Sequence, residues 1–164
     1  MTAPKNVLFL CTGNSARSIL AEAAMNLIGA GRFRAYSAGS RPTGAPNPFA
    51  LALLARKGID TGFARSKSWD EFEGPNVPKM DFIFTVCDSA AAEPCPFWPG
   101  HPASAHWGQP DPAAVTGADA EKAQAFDATW QLLTRRITAF AALPIDDMEE
   151  QILKVALREI GMMT

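Results

Sequence analysis

The chain alternates short apolar runs with longer stretches in which apolar residues recur every three or four positions. Val7-Leu8-Phe9-Leu10 is uninterrupted, as a strand covered on both faces requires, and it predicts a first strand over Asn6 to Leu10. Leu20, Ala24, Leu27 and Ile28 predict one face of a helix that starts near Ser15 and stops at Gly29 to Gly31. Phe33 to Ala38 reads as a second strand. Asn47-Pro48 joins a cap residue to a proline at the first helical position, and that helix runs to Lys57 before Gly58 ends it. Asp81 to Val86 reads as a third, buried strand and Ser104 to Trp107 as a short fourth. Ala123, Phe126, Trp130, Leu133, Ile137 and Phe140 mark a long amphipathic helix, broken at Pro144. Ile145 to Met162 reads as a further helix with a Met148, Ile152, Val155 stripe. Alternation of strand and helix implies an α/β fold with a parallel sheet, whose ligands bind in the crevice at the carboxyl ends of the strands.

With 164 residues, no internal repeat and no long linker, the chain is expected to form a single domain over 1–164, with an added C-terminal helix at about 145–162. A net charge of −2 and the lack of a basic run give no reason to expect nucleic acid as a partner. The apolar run near the N-terminus is too short to span a membrane, and no signal-peptide cleavage pattern follows it. These features point to the cytoplasm, where cysteines tend to be catalytic, redox-active or metal-binding. Three cysteines, Cys11, Cys87 and Cys95, make an odd count that argues against a purely structural disulfide framework.

The stretch Cys11-Thr12-Gly13-Asn14-Ser15-Ala16-Arg17-Ser18 follows the first strand and opens the first helix. A loop in that place aims backbone N–H groups and a helix N-terminus at a tetrahedral anion. Arg17 adds a planar fork suited to phosphate-like oxygens. Such an environment lowers a cysteine pKa from about 8.5 toward roughly 3.5–7.5, which would make Cys11 a nucleophilic thiolate at neutral pH. Gly13 and Asn14 stand where the loop needs positive φ, and Ser18 can hydrogen-bond a thiolate. The G-x-x-x-x-G-K-[ST] pattern of nucleotide P-loops is absent. Cys87 also follows a strand. If the first and third strands are neighbours, their ends lie roughly 5 Å apart, close enough for sulfur exchange after small loop movements.

Blander readings compete at several positions. Cys87 could be a small apolar core residue and Cys95 incidental. A zinc site from Cys87, Cys95, His101 and His106 fits no usual spacing, so no metal is expected. Asp111 before Pro112 is a common turn residue, but its place after the fourth strand suits a general acid. Trp107, Phe126 and Trp130 read as core. Phe97 and Trp98 beside Cys95 read equally as a docking surface for a reductant or as a loop anchor.

C-T-G-N-S-A-R-S, Y-S-A-G at Tyr36 to Gly39, T-V-C at Thr85 to Cys87, C-P at Cys95 and H-W-G-Q-P-D-P at His106 to Pro112 together resemble one family. It is the thioredoxin-coupled arsenate reductases of the low-molecular-weight protein tyrosine phosphatase family, over roughly Lys5 to Leu143. The resemblance implies a four-stranded parallel sheet of order 2-1-3-4 flanked by helices. It also implies that Cys11 attacks arsenate held by Thr12 to Ser18, that Arg17 holds its oxygens, and that Asp111 protonates the departing oxygen. Cys87 would then attack the adduct, and Cys95 would move the disulfide outward. No tightly bound cofactor is implied, and electrons would come from thioredoxin or from glutaredoxin with glutathione. Phosphate or sulfate would act as arsenate analogues, with the protein a monomer. The family's potassium site matches Asn14, Glu22 and Ser37, but no aspartate stands near Ser66-Lys67-Ser68. Lys67 would repel a cation, which argues against potassium dependence. Two alternatives remain at this level. One is a tyrosine phosphatase using Cys11, Arg17 and Asp111, although Ala113 stands where phosphatases usually place a tyrosine. The other is a non-catalytic oxyanion-binding module.

Overall fold

Four strands, β1 (Lys5–Cys11), β2 (Phe33–Gly39), β3 (Phe82–Thr85) and β4 (Ala103–His106), form one parallel sheet in the order β2-β1-β3-β4. The computed structural model describes residues 3–87 and 102–164. Cys95, Phe97, Trp98 and His101 lie outside the described residues. The sheet order is the expected one. It makes β1 and β3 neighbours, with Val7 opposite Phe82 and Leu10 opposite Thr85. Cys11, at the end of β1, pairs with Gly39 at the end of β2, and Cys87 follows β3. Both sulfurs therefore stand at the same carboxyl edge.

Alternation along β1 divides the core into two clusters, because successive side chains in a strand point to opposite faces. Val7 and Phe9 pack with residues from α1 (Arg17–Ile28), α2 (Pro48–Arg56), α3 (Asp119–Ala141) and α4 (Glu150–Gly161). Leu8 and Leu10 face the other way, with Ala38, Phe72, Met80 and Ile83. Asn47 caps α2 as expected, its side chain accepting from the Phe49 N–H, and Gly58 takes φ +74° just past the helix end.

Two helix faces differ from expectation. Leu27 is 58% exposed, and α1 is instead buried over an unbroken run from Ser18 to Met25. Small Ala21, Ala23 and Ala24 let this helix sit close between the sheet and α3, so its buried arc is wider than one stripe. In the C-terminal segment a short 3-10 turn, Ile145–Asp147, precedes α4. There Ile152 and Val155 are 56% and 50% exposed, and Leu157 and Ile160 are the buried pair. No helix among the described residues is long and apolar enough to cross a membrane.

Candidate active site

The segment from Thr12 to Ala16 leaves β1 and enters α1 as a loop whose carbonyls are tied to the scaffold. Thr12 O accepts from Arg41 N (2.9 Å), Gly13 O from Thr43 N (3.0 Å), and Ser15 O from Asn47 N (2.8 Å). In a planar trans peptide the N–H points opposite to the C=O, so these bonds turn the N–H groups of Gly13, Asn14 and Ala16 the other way. The N-cap of α1 is Ala16, which offers no side-chain acceptor, and the first turn carries no acidic residue. The positive end of α1 is thus left for a bound anion. Asn14 takes φ +46°, a left-handed conformation that asparagine tolerates.

Asn14 is also the buried hub beneath the loop. Its Nδ2 donates to Ser18 Oγ (2.8 Å) and Ser37 Oγ (3.0 Å), and its Oδ1 accepts from Lys67 N (2.9 Å). The Lys67 ammonium fills the space next to it. Nζ donates to Arg65 O at 3.0 Å and Ser37 Oγ at 3.3 Å, and stands 3.7 Å from Glu22 Oε1. The Ser37 hydroxyl donates to that same carboxylate. Burial raises the Glu22 pKa while Lys67 pulls it down, and burial lowers the Lys67 pKa while Glu22 supports it. Gly39 completes the floor. A Cβ there would lie 2.4 Å from Thr12 O and 2.8 Å from Cys11 O, so only glycine lets β2 approach the loop this closely.

Cys11 and Cys87 are both reduced, and both are buried. The Thr12 N–H donates to Cys87 Sγ at 3.3 Å, and Thr12 Oγ1 lies 3.7 Å from the same sulfur. The structure therefore brings Cys87 onto the Cys11 loop. The direction of the Cys11 shift is opposite to the sequence expectation. A hydrogen bond to Cys87, then burial, push the Cys11 thiol up, against Arg17 and the Gly13 N–H, which pull it down. The two sulfurs thus share a hydrogen bond, and the Thr12 N–H donates to the Cys87 sulfur. That hydrogen bond offers the Cys11 proton a path to Cys87.

Arg17 reaches from α1 across the mouth of the loop. Its Nη1 donates to Gln109 O at 2.9 Å, and its Nη2 lies 3.7 Å from Asp111 Oδ2. Asp111 is a turn residue as well, since Oδ1 accepts from Ala113 N (2.9 Å) to cap a 3-10 turn over Pro112–Ala114. Its other oxygen stays beside Arg17. The described members of the expected set, Cys11, Thr12 to Ser18, Cys87 and Asp111, thus share one end of the sheet.

Two residues of this site were not legible as such in the sequence. Gln109 contributes through its backbone carbonyl, which no sequence pattern reveals. Arg136 was passed over inside the apolar pattern of α3, though it lies three residues after Leu133 and four before Phe140. A charged residue in the middle of a buried stripe was the available signal. Among the described residues, no group of three or more His, Cys, Asp or Glu side chains is placed to hold a metal ion.

The profile of the low molecular weight phosphotyrosine protein phosphatases matches residues 6–154. An arsenate reductase of Oceanobacillus iheyensis is 35% identical over 137 residues, 84% of this chain and 95% of that protein. The arsenate reductase of Bacillus subtilis is 34% identical over 137 residues, with the same coverage of 84% and 95%. Among solved structures, an arsenate reductase from Archaeoglobus fulgidus is similar with a TM-score of 0.65 at 26% identity, over 84% of this chain and 99% of that one. The motif order, the sheet order and these similarities agree, and the chain belongs to the low molecular weight phosphotyrosine protein phosphatase family.

Proposed function

We propose that this protein reduces arsenate to arsenite, using Cys11 as nucleophile and Cys87 and Cys95 as a disulfide relay. The observation that carries this reading is the second thiol on the loop, Cys87 Sγ at 3.3 Å from the Thr12 nitrogen. A phosphatase of this fold needs one cysteine, whereas reduction needs two electrons from a pair. Arsenate binds to the N–H groups of the loop from Gly13 to Ser18, with Arg17 on its oxygens; the Thr12 N–H is taken by Cys87 Sγ. The Cys11 thiolate forms an S–As bond as one As–O bond breaks, and Asp111 gives the departing oxygen a proton so that it leaves as water. Cys87 gives the proton it took from Cys11 to an oxygen on arsenic and, as a thiolate, attacks Cys11 Sγ. The S–S bond forms, the S–As electron pair stays on arsenic, and arsenic(V) departs as arsenite, arsenic(III). Cys95 attacks Cys87 in turn, releasing Cys11 and leaving a Cys87–Cys95 disulfide for an external dithiol of the thioredoxin class or for glutaredoxin with glutathione. Support for the reaction also comes from the arsenate reductases among the relatives.

The test is arsenate-dependent NADPH consumption with thioredoxin and thioredoxin reductase. Wild type is expected to turn over and Cys87→Ser to show none. Equal turnover by the Cys87→Ser chain would remove the relay. No turnover by wild type with either donor system would leave the phosphatase reading, which rests on the same Cys11, Arg17 and Asp111 arrangement. Weak aryl phosphatase activity that survives Cys87→Ser is expected in either case, because phosphate and arsenate share shape and charge.

A further inference from the structure

Arg136, near the C-terminal end of α3, is buried, and among the described residues its guanidinium hydrogen-bonds no carboxylate. It donates instead to four backbone carbonyls from two segments. Nη1 reaches Trp107 O (2.8 Å) and Gly108 O (3.1 Å), and Nη2 reaches Gly161 O (3.0 Å) and Met163 O (2.9 Å). The second pair lies at the C-terminus of α4, where unpaired carbonyls and the helix dipole favour a cation. The first pair opens the segment that continues to Gln109 and Asp111, both of which face Arg17.

Two further contacts tie the same parts together. Trp107 is fully buried, stacked on Phe84 with ring centroids 3.8 Å apart, and its Nε1 donates to Leu157 O of α4 at 2.9 Å. One turn beyond Leu157, at the C-terminal end of α4, a Cβ on Gly161 would lie 2.5 Å from His106 O and 2.9 Å from Trp107 Cδ1. The helix can rest on the end of β4 only because residue 161 has no side chain. Arg136, Trp107 and α4 therefore fix the start of the segment, whose Gln109 carbonyl and Asp111 carboxylate, two and four residues after Trp107, meet the Arg17 guanidinium at the mouth of the loop.

We propose that Arg136 is a positioning residue, which with α4 clamps Trp107 and Gly108 so that Asp111 is held beside Arg17 in the geometry for proton transfer. This inference rests on the reading of Asp111 as the acid in arsenate reduction. It assigns the C-terminal helix a part in catalysis through its hold on Trp107 and His106.

The experiment is single-turnover reaction of the reduced full-length protein with arsenate, followed as loss of two thiols per chain, with phosphate affinity measured in parallel. Arg136→Met is expected to slow the reaction about tenfold or more, a part of the loss expected from removing a general acid, with phosphate affinity changed by no more than about twofold. Asp111→Asn should be slower still. The double variant should react no more slowly than Asp111→Asn alone, within about twofold, because a misplaced acid and a missing acid are one defect. A merely structural role would instead multiply the two losses. A folded Arg136→Met chain with the wild-type rate, or a double variant losing the full product, overturns the proposal. Should Arg136→Met fail to fold, Gly161→Ala tests the same clamp by pushing α4 off His106 and Trp107. A several-fold slowing that disappears in the Asp111→Asn background supports the clamp, and an unchanged rate overturns it. If wild type loses no thiols to arsenate, the reduction reading fails and the clamp's role fails with it. If wild type reacts and Asp111→Asn is slow but Arg136→Met is not, only the clamp fails.

Discussion

Two buried cations hold the two halves of this site, and they are compensated in different ways. Lys67 lies under the oxyanion loop, 3.7 Å from the Glu22 carboxylate. Arg136 lies under the segment carrying Asp111 and is answered by four carbonyl oxygens. The lysine pair can escape an imbalance by titration, since burial lowers the Lys67 pKa and raises that of Glu22. A guanidinium has no such escape. Burial, then the neighbouring Arg135, push the Arg136 pKa down, yet arginine stays charged in proteins. The loop is thus held by a charge pair whose strength follows pH, and the acid segment by fixed dipoles that do not. One half of the site can respond to protons without loosening the other.

The comparison breaks most visibly when one ion of the pair is removed. Glu22→Gln leaves the Lys67 ammonium buried beside neutral oxygens, and a loss of about 3–5 kcal/mol at neutral pH is expected in urea unfolding. Glu22→Gln with Lys67→Met should recover most of that loss, because removing both charges also removes their desolvation cost. A Glu22→Gln chain as stable as wild type would mean that the pair is not ionised.

Lys67→Met alone should cost less, about 1–3 kcal/mol at neutral pH, and its cost should depend on pH. Burial already raises the folded-state pKa of Glu22, and removing the lysine takes away the largest influence that lowers it. The folded chain then binds a proton more tightly than the unfolded chain. Stability therefore falls as pH rises from the ordinary carboxylate value through the raised one, and is flat above it. Wild type has the same sign over a narrower window. It gains stability in the alkaline range, where the folded chain has already released the Lys67 proton and the unfolded chain still holds one. Arg136→Met has no such window. Unfolding measured from pH 5 to pH 9 should show a pH-dependent difference from wild type for Lys67→Met and a constant one for Arg136→Met.

Much of this arrangement was legible in the sequence, because it depends on local chemistry. The uninterrupted apolar β1, the Asn47-Pro48 start of α2 and the Cys11 to Ser18 loop each carry their signal within a few residues. The α4 face was misread for a definite reason. Met148, Ile152 and Val155 recur with helical spacing, but so do Leu153, Leu157 and Ile160, and periodicity cannot say which stripe meets the protein. The buried side is fixed by Trp107 Nε1 donating to Leu157 O and by Gly161 against His106, contacts that join residues fifty or more positions apart. The direction of the Cys11 shift is not legible locally, because it depends on a sulfur far away in sequence. Arg17 and the amides do pull the thiol down, but the partner sulfur arrives from β3, and its effect outweighs theirs.

That last point yields the smallest expected effect and isolates the loop half of the site. If Cys87 is the main reason the Cys11 thiol is raised, Cys87→Ser should lower it, leaving burial opposed by Arg17 and the Gly13 N–H. Alkylation of Cys11 by iodoacetamide, followed by mass spectrometry across a pH series, should show an apparent pKa below that of wild type. The rate at pH 7 should rise several-fold, because the thiolate is the reacting species. The same variant is expected to have lost reductase turnover, so one thiol would become more reactive as the cycle stops. An unchanged or higher Cys11 pKa would mean that burial alone sets it, and the proton would then leave the site by a route other than Cys87. A lowered pKa assigns Cys87 two successive parts, first taking the Cys11 proton and then attacking the sulfur that lost it.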